Sequence, residues 1–317
     1  MNKIESIDIT DKQSWLESRL QDVTSTEVSA LYGLNPYSTE YELYHQKKNK
    51  EIIHLDENER MTWGLRLEKS IAEGAAETMK WDIEPMNVYM RKPDNRIGSS
   101  FDYKINSKAD GPGILEVKNV DGMVYRRNWV DDGQGNIEAP EHIELQVQHQ
   151  MEVADMEWCA IVALVGGNTQ KIVHRKRDRT IGDSINAKVK KFWDLVDAGR
   201  APSPDYEKDA EYIIKTLRGQ ATEGLIAEAD DELEELIKAY GFAQREASDM
   251  KKLQDSYKAQ ILERVNDASK VIFSNGSISC GMSKPSLGTL VTPEMVDTYI
   301  GARKGFRSFR LTKKKGA

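Results

Sequence analysis

The chain has 317 residues, long enough for a full catalytic core and a second, smaller region. Hydrophobic residues make up 39% and charged residues 31%; no apolar run approaches the ~20 residues of a membrane span, and the first twenty residues lack the apolar stretch of a secretion signal, so an intracellular globular protein is expected. Two cysteines, Cys159 and Cys280, exclude a disulfide framework or a four-cysteine cluster and are expected to be buried thiols, while the net charge of −7 conceals a split between seven acids over 223–235 and seven bases over 303–315.

Up to about residue 60 the pattern predicts helices over 14–20, 25–32 and 39–48, the last after the Asn35-Pro36 turn. A stronger helix is expected over 61–80, where Trp63, Leu67, Ile71, Ala75 and Met79 recur every fourth residue. The period then shortens, and 86–91, 98–105 and 114–120 read as strands bounded by Pro, Asp, Asn and Gly. A polar loop over 131–140 precedes a helix over 141–155. The apolar run 158–165 suits a buried strand, Gly166-Gly167-Asn168 a hairpin, and a second strand follows to residue 176. A helix over 183–198 closes on Gly199. The expected class is α/β: a mixed central sheet flanked by helices over 1–200, with Ala201-Pro-Ser-Pro204 as boundary. Residues 201–317 are expected to be mostly helical (205–218, then 227–269, long or broken at Gly241). Short strands at 271–273 and 277–280, a helix at 293–302, a last strand at 306–312 and the basic tail complete that region.

Two residues in this layout carry a chemical signal. In Leu115-Glu-Val-Lys118, Glu116 and Lys118 are two apart in a short apolar strand and so share a face. Two charges there are costly unless used. A carboxylate holding a divalent ion, with an ammonium beside it to orient water or offset phosphate charge, is a compact device for phosphodiester hydrolysis. Asp102, just before a turn, would be delivered to Glu116 by the next strand. Glu68 lies beside the apolar stripe of the 61–80 helix, and Gln146 and Gln150 share one face of the next helix. His142 and His149 lie on that helix too, but neither has an evident carboxylate partner for acid–base work.

Trp63-Gly64-x-x-x-Glu68, Ser100-Phe-Asp102, Leu115-Glu-Val-Lys118 and Gln146-Val-Gln148, in that order, resemble the bacteriophage lambda exonuclease and YqaJ-type viral recombination nucleases of the PD-(D/E)xK superfamily. Arg19 and Thr26, seven apart in Arg19-Leu-Gln-Asp-Val-Thr-Ser-Thr-Glu-Val28, match the family's Arg…Ser-Glu-Val stretch, with Thr in place of the usual Ser. The resemblance spans about residues 14–180. It implies a PD-(D/E)xK restriction-endonuclease-like core and a processive 5′-to-3′ exonuclease on double-stranded DNA ends that leaves 3′ single-stranded overhangs in a phage-type recombination system. It further implies Mg2+ (or Mn2+) held by Asp102, Glu116 and the Val117 carbonyl, with Lys118 supporting the nucleophilic water and Glu68 and Gln146 completing the site. Arg19, Thr26, Ser100 and Lys118 would bind the 5′-phosphate. A ring-shaped homotrimer, a single-strand annealing protein as partner and the cytoplasm of a bacterial host belong to the same expectation.

A structure-specific or restriction-type endonuclease could use Asp102, Glu116 and Lys118 without an end pocket, and a degenerate core could serve as a non-catalytic DNA-binding scaffold. The intact polar set speaks against the latter.

Overall fold

The structure, a computed structural model, describes residues 3–52, 58–217 and 219–283. By contacts the chain divides into two compact units, Met1–Tyr212 and Ile213–Ala317.

The first unit begins with strand β1 (Glu5–Asp8), helix α1 (Lys12–Arg19) capped by the Asp11 side chain, and strand β2 (Val23–Thr24). The helix expected over 25–32 is only a 3-10 turn, Val28–Tyr32. Pairing of Val23 with Ile97 and of Thr24 with Gly98 holds the segment before it extended, so tertiary pairing overrides local helical preference. Helix α2 (Glu40–Asn49) starts on a Thr39/Glu42 capping box, and α3 (Glu59–Met79) on the Asn58 side chain. Along α3 only Ile71, Ala72 and Ala75 are buried, whereas Trp63 and Met79 are exposed. A strict i, i+4 repeat drifts by about 40° per step on a 3.6-residue helix, which carries both ends of the expected stripe off the core.

Then come β3 (Asp82–Pro85), β4 (Val88–Lys92), β5 (Ile97–Ser100), β6 (Tyr103–Ser107), β7 (Gly111–Val120), α4 (Gly122–Asn128), β8 (Val130–Asp131) and β9 (Ile137–Glu138). The single strand expected over 98–105 is thus two strands in different sheets. Strand β5 joins a four-stranded sheet of order β1-β4-β5-β2, and β6 joins the main sheet. The chain continues as α5 (Glu141–Ala154), β10 (Trp158–Val165), β11 (Thr169–Lys176) and α6 (Arg179–Ala198), which starts one turn earlier than expected because Asp178 caps it.

The main sheet has the order β11-β10-β7-β6-β3; β7 and β10 are parallel and the other neighbours antiparallel. One apolar layer unites Ile114 and Val120 of β7 with Val147 and Met151 of α5 and Ile185, Val189 and Phe192 of α6. A second unites Leu115 and the half-buried Val117 with Leu67, Ile71 and Ala75 of α3. The period-two alternation of β7 therefore reads out a mixed sheet flanked by helices on both faces, the α/β class expected from the sequence.

Behind β5 lies a buried polar knot. Asp22, fully buried, accepts from Tyr89 Oη at 3.1 Å and from Arg91 Nε and a terminal guanidinium nitrogen at 2.9 Å each. A Cβ on Gly98 would lie 2.1 Å from Tyr89 Oη and 2.8 Å from Asp22 Oδ2. Gly98→Ala is therefore expected to destabilise the protein by about 1–3 kcal/mol, the usual cost of overpacking. Urea unfolding should show it, and an unshifted midpoint would mean that Tyr89 can move aside.

The first unit runs past Pro204 because α7 (Tyr206–Leu217) begins against α2: the Thr39 hydroxyl donates to Asp209 at 2.5 Å, and Tyr212 meets the rings of Tyr41 and His45. In the second unit α8 (Asp231–Val265) is unbroken at Gly241 and is followed by the hairpin of β12 (Lys270–Phe273) and β13 (Gly276–Ser279). The described residues of this unit are mostly helical, as expected. Cys159 is buried as expected, but Cys280 is half-exposed because it lies at the end of this small hairpin, its thiol on the Ala268 carbonyl. The helix and strand expected at 293–302 and 306–312, and the basic tail, lie outside the described residues.

Candidate active site

Strand β7 is paired with β6 only from Gly111 to Leu115, where Tyr103 opposes Leu115. Asp102, the residue before β6, takes over the edge: its Oδ2 accepts from the Val117 amide at 2.8 Å. In an antiparallel ladder a residue's N–H and C=O point to the same edge, so the Val117 carbonyl faces the Asp102 side as well. Glu116 and Lys118 share the opposite pleat from Val117, with Lys118 Nζ donating to Glu116 Oε1 at 2.5 Å.

Helix α5 closes over these two side chains. Gln146 Nε2 donates to Glu116 Oε1 at 2.6 Å and Gln150 Nε2 to Glu116 Oε2 at 2.7 Å, while Lys118 also reaches Gln146 Oε1 at 3.2 Å. Glu116 is only 3% exposed, and its two oxygens accept from three donors, as a buried polar group requires. Gln150, which shares a helix face with Gln146 and with it was within expected reach of a phosphate or a metal-bound water, instead holds the second oxygen of Glu116. Gln148, two residues from Gln146 and so about 200° around the helix, turns away and bonds the Lys176 carbonyl and the Asp178 amide.

The electrostatics are unbalanced. Burial, and then Glu116 beside it, pushes the Asp102 carboxyl well above its usual range. Burial and then Glu116 likewise raise Glu68, which places Glu68 of α3 within electrostatic reach of the cluster. Burial alone would pull Lys118 down, but Glu116 and Asp102 outweigh it and hold it above the usual lysine value. Lys118 is therefore an ammonium at neutral pH, a donor and not a base. His149 is fully buried, and burial pushes it down to about 4, so it is neutral.

Three carboxyls thus lie within electrostatic reach of one ammonium, which bonds Glu116 directly. Among the described residues no three His, Cys, Asp or Glu side chains converge as a ready-made metal cage. Two carboxylates and a backbone carbonyl nevertheless fit magnesium, which takes one or two carboxylates and keeps the rest of its shell for water and phosphate. A divalent cation would offset both the burial of the Asp102 carboxyl and the repulsion from Glu116 that raise it.

A second polar group lies along β5. Arg19, at the end of α1, donates from one terminal nitrogen to Thr24 Oγ1 at 3.2 Å and to Thr26 Oγ1 at 3.1 Å, and its guanidinium stacks 4.8 Å from the Trp15 ring. Trp15 Nε1 donates to Ser100 Oγ at 2.7 Å. Gln150 Nε2 also approaches the Ser100 carbonyl at 3.4 Å, so Ser100 borders both groups. Arg19 and Thr26 are in direct contact, Trp15 links Arg19 to Ser100, and Lys118, read with them as a phosphate ligand, is instead bonded to Glu116 and Gln146. Trp15 and Thr24 were not singled out, although the signals existed: Trp15 is four residues before Arg19 on one helix face, and Thr24 is two before Thr26.

Residues 14–157 match the family model described as YqaJ-like viral recombinase domain. The chain is 24% identical over 261 residues to "Uncharacterized protein YqaJ" of Bacillus subtilis (strain 168), covering 81% of this chain and 79% of that protein. Among solved structures it is similar to the alkaline exonuclease LHK-Exo from Laribacter hongkongensis, at 17% identity and a TM-score of 0.48, with 65% of this chain and 97% of that chain covered. A phage related exonuclease from Haemophilus somnus 129PT aligns at 13% identity and a TM-score of 0.38, with 56% and 96% covered.

Proposed function

With a YqaJ-like viral recombinase domain at residues 14–157 as premise, we propose that the protein is a magnesium-dependent DNA exonuclease that degrades the 5′-ended strand of duplex ends and leaves 3′ overhangs. The observation that carries this reading is the juxtaposition of two polar groups across Ser100-Phe-Asp102: an acid–lysine cluster on one side and an arginine–hydroxyl pocket on the other. Cutting needs only the first. A pocket of guanidinium and hydroxyl donors beside it suits a terminal phosphate, because a charge-assisted, forked donor recognises a phosphate monoester well.

Asp102, Glu116 and the Val117 carbonyl would hold the cation, which when bound polarises the phosphoryl oxygen and makes hydroxide available near neutral pH. The remaining chemistry belongs to the chain. Lys118 donates toward the attacking water or the charge that builds on the phosphate, and burial strengthens that interaction. Gln146 and Gln150 fix the Glu116 carboxylate, and Glu68 adds an acceptor at the α3 side. Arg19, Thr26 and Ser100 hold the terminal phosphate of the strand being shortened.

A ring-shaped trimer that feeds a single-strand annealing protein inside a bacterial host is the setting that the family resemblance supports. Among the described residues, no helix is long and apolar enough to cross a membrane.

The test is a digestion time course on 5′-phosphorylated linear duplex, labelled at either end, beside closed circular DNA. Release of 5′-mononucleotides from the 5′ end in magnesium is expected, with no reaction in EDTA and intact circles. Nicking of the circles would replace this reading with an endonuclease.

A further inference from the structure

Lys47, on α2, is only 4% exposed, although nothing in its sequence context sets it apart from the lysines around it. A buried ammonium is costly unless fully partnered. Its Nζ donates to the backbone carbonyl of Arg19 at 2.8 Å and to Glu27 Oε2 at 2.8 Å. The same Glu27 oxygen accepts from the Thr24 amide at 2.9 Å, and Glu27 Oε1 lies 3.7 Å from the Arg19 guanidinium. Burial alone would raise Glu27, but Lys47 and Arg19 outweigh it and keep it a carboxylate.

The connections converge on one place. Helix α1 has eight residues, too few to be stable alone, and its last carbonyls accept only i+3 amides just past the helix, that of Arg19 taking the Asp22 amide at 3.4 Å. Lys47 captures the carbonyl of Arg19 itself. Through Glu27 it also fixes the backbone of Thr24, whose hydroxyl receives the Arg19 guanidinium. One ion pair therefore sets the backbone of both the arginine and one of its hydroxyl partners.

We propose that the buried Lys47–Glu27 pair is a positioning device for end recognition, holding Arg19 and the Thr24–Thr26 hydroxyls in the geometry that grips a 5′-phosphate. This rests on the reading of that pocket as the 5′-phosphate site. Neither residue touches the DNA. A merely structural pair would, by contrast, be replaceable by neutral side chains without altering which ends are preferred.

The experiment uses the full chain carrying Lys47→Met together with Glu27→Gln. The glutamine retains an acceptor for the Thr24 amide, the double change removes both charges of the Lys47–Glu27 pair together, and Arg19 keeps its Thr24 and Thr26 hydroxyl acceptors. Initial rates are measured on duplexes that differ only in a 5′-phosphate or 5′-hydroxyl end. Wild type is expected to prefer the phosphate by about tenfold or more. The double variant should lose about tenfold of that preference through a raised KM on phosphorylated ends, with its rate on hydroxyl ends unchanged, since a misplacement of about 1 Å can cost up to about a hundredfold. Lys47→Arg, which keeps the charge, should recover part of it. An unchanged preference, or an equal loss on both ends, overturns the proposal. A wild type without any preference would instead remove the pocket reading, and this inference with it, so the two failures are distinguishable.

Discussion

Asp102→Asn is expected to lower phosphodiester cleavage by at least about a thousandfold while raising the thermal midpoint of the metal-free protein at pH 8. The loss follows from removing one of two carboxylates proposed to hold the cation, whose contribution is several kcal/mol, at about 1.4 kcal/mol per tenfold. The gain follows from the crowding of acids. The Asp102 carboxyl is raised well above its usual range by burial and by Glu116, so ionising it costs the folded state. The sign is fixed by linkage: a carboxyl whose native pKa exceeds its unfolded value stabilises the fold below the unfolded pKa, and that contribution is lost as pH rises through the native pKa. From the unfolded value upward the wild type therefore bears a cost that grows with pH, and the amide bears none. Asparagine can still accept from the Val117 amide, so the edge contact survives. A shift of about 2–4 °C per kcal/mol is expected, closing as pH falls toward 4. Thermal scans in EDTA at both pH values, beside cleavage assays in magnesium, measure the two halves separately. Equal midpoints at pH 8 would mean that the apoprotein already compensates Asp102, and retained cleavage would remove Asp102 from the site.

Arg19→Ala is expected to slow digestion of 5′-phosphorylated ends by about 10- to 100-fold and to leave the requirement for magnesium unchanged. Hydrogen bonds to charged groups contribute about 1.5–3 kcal/mol each, which sets the scale. The guanidinium spans two hydroxyls and stacks on Trp15, so Arg19→Lys should restore the charge but not the fork, and recover activity only in part. The measurement is the rate ratio between phosphate and hydroxyl ends, with magnesium titrated for each variant. Full activity of Arg19→Ala on phosphorylated ends would eliminate the pocket.

What could be read from the sequence follows from how local each feature is. The common face of Glu116 and Lys118 was legible because the strand period is a property of three consecutive residues. Gln146 was legible as a helix-face residue for the same reason. That Asp102 stands at the joint between two sheets was not, since no glycine or proline marks the break at Phe101 and the split of 98–105 depends on β2 and β4 pairing with β5. The 3-10 turn at Val28–Tyr32 depends on the same distant pairing. Lys47 could not be distinguished from its exposed neighbours Lys48 and Lys50, because its partners, the Arg19 carbonyl and Glu27, come from chain 20 or more residues earlier. The α3 stripe was right at its centre and wrong at its ends, where a repeat of four outruns the helical period.

The joint at Ser100-Phe-Asp102 has a mechanical meaning. Ser100 ends the strand that borders the anion pocket, and Asp102 lies two residues on, a separation of at most about 7 Å even when fully extended. Phe101 between them is buried and cannot pay out slack. On the proposed reading, the interval from where a chain terminus is gripped to where its backbone is cut would be built into two peptide units, a short rigid gauge that would dictate a constant bite with each advance along the polymer.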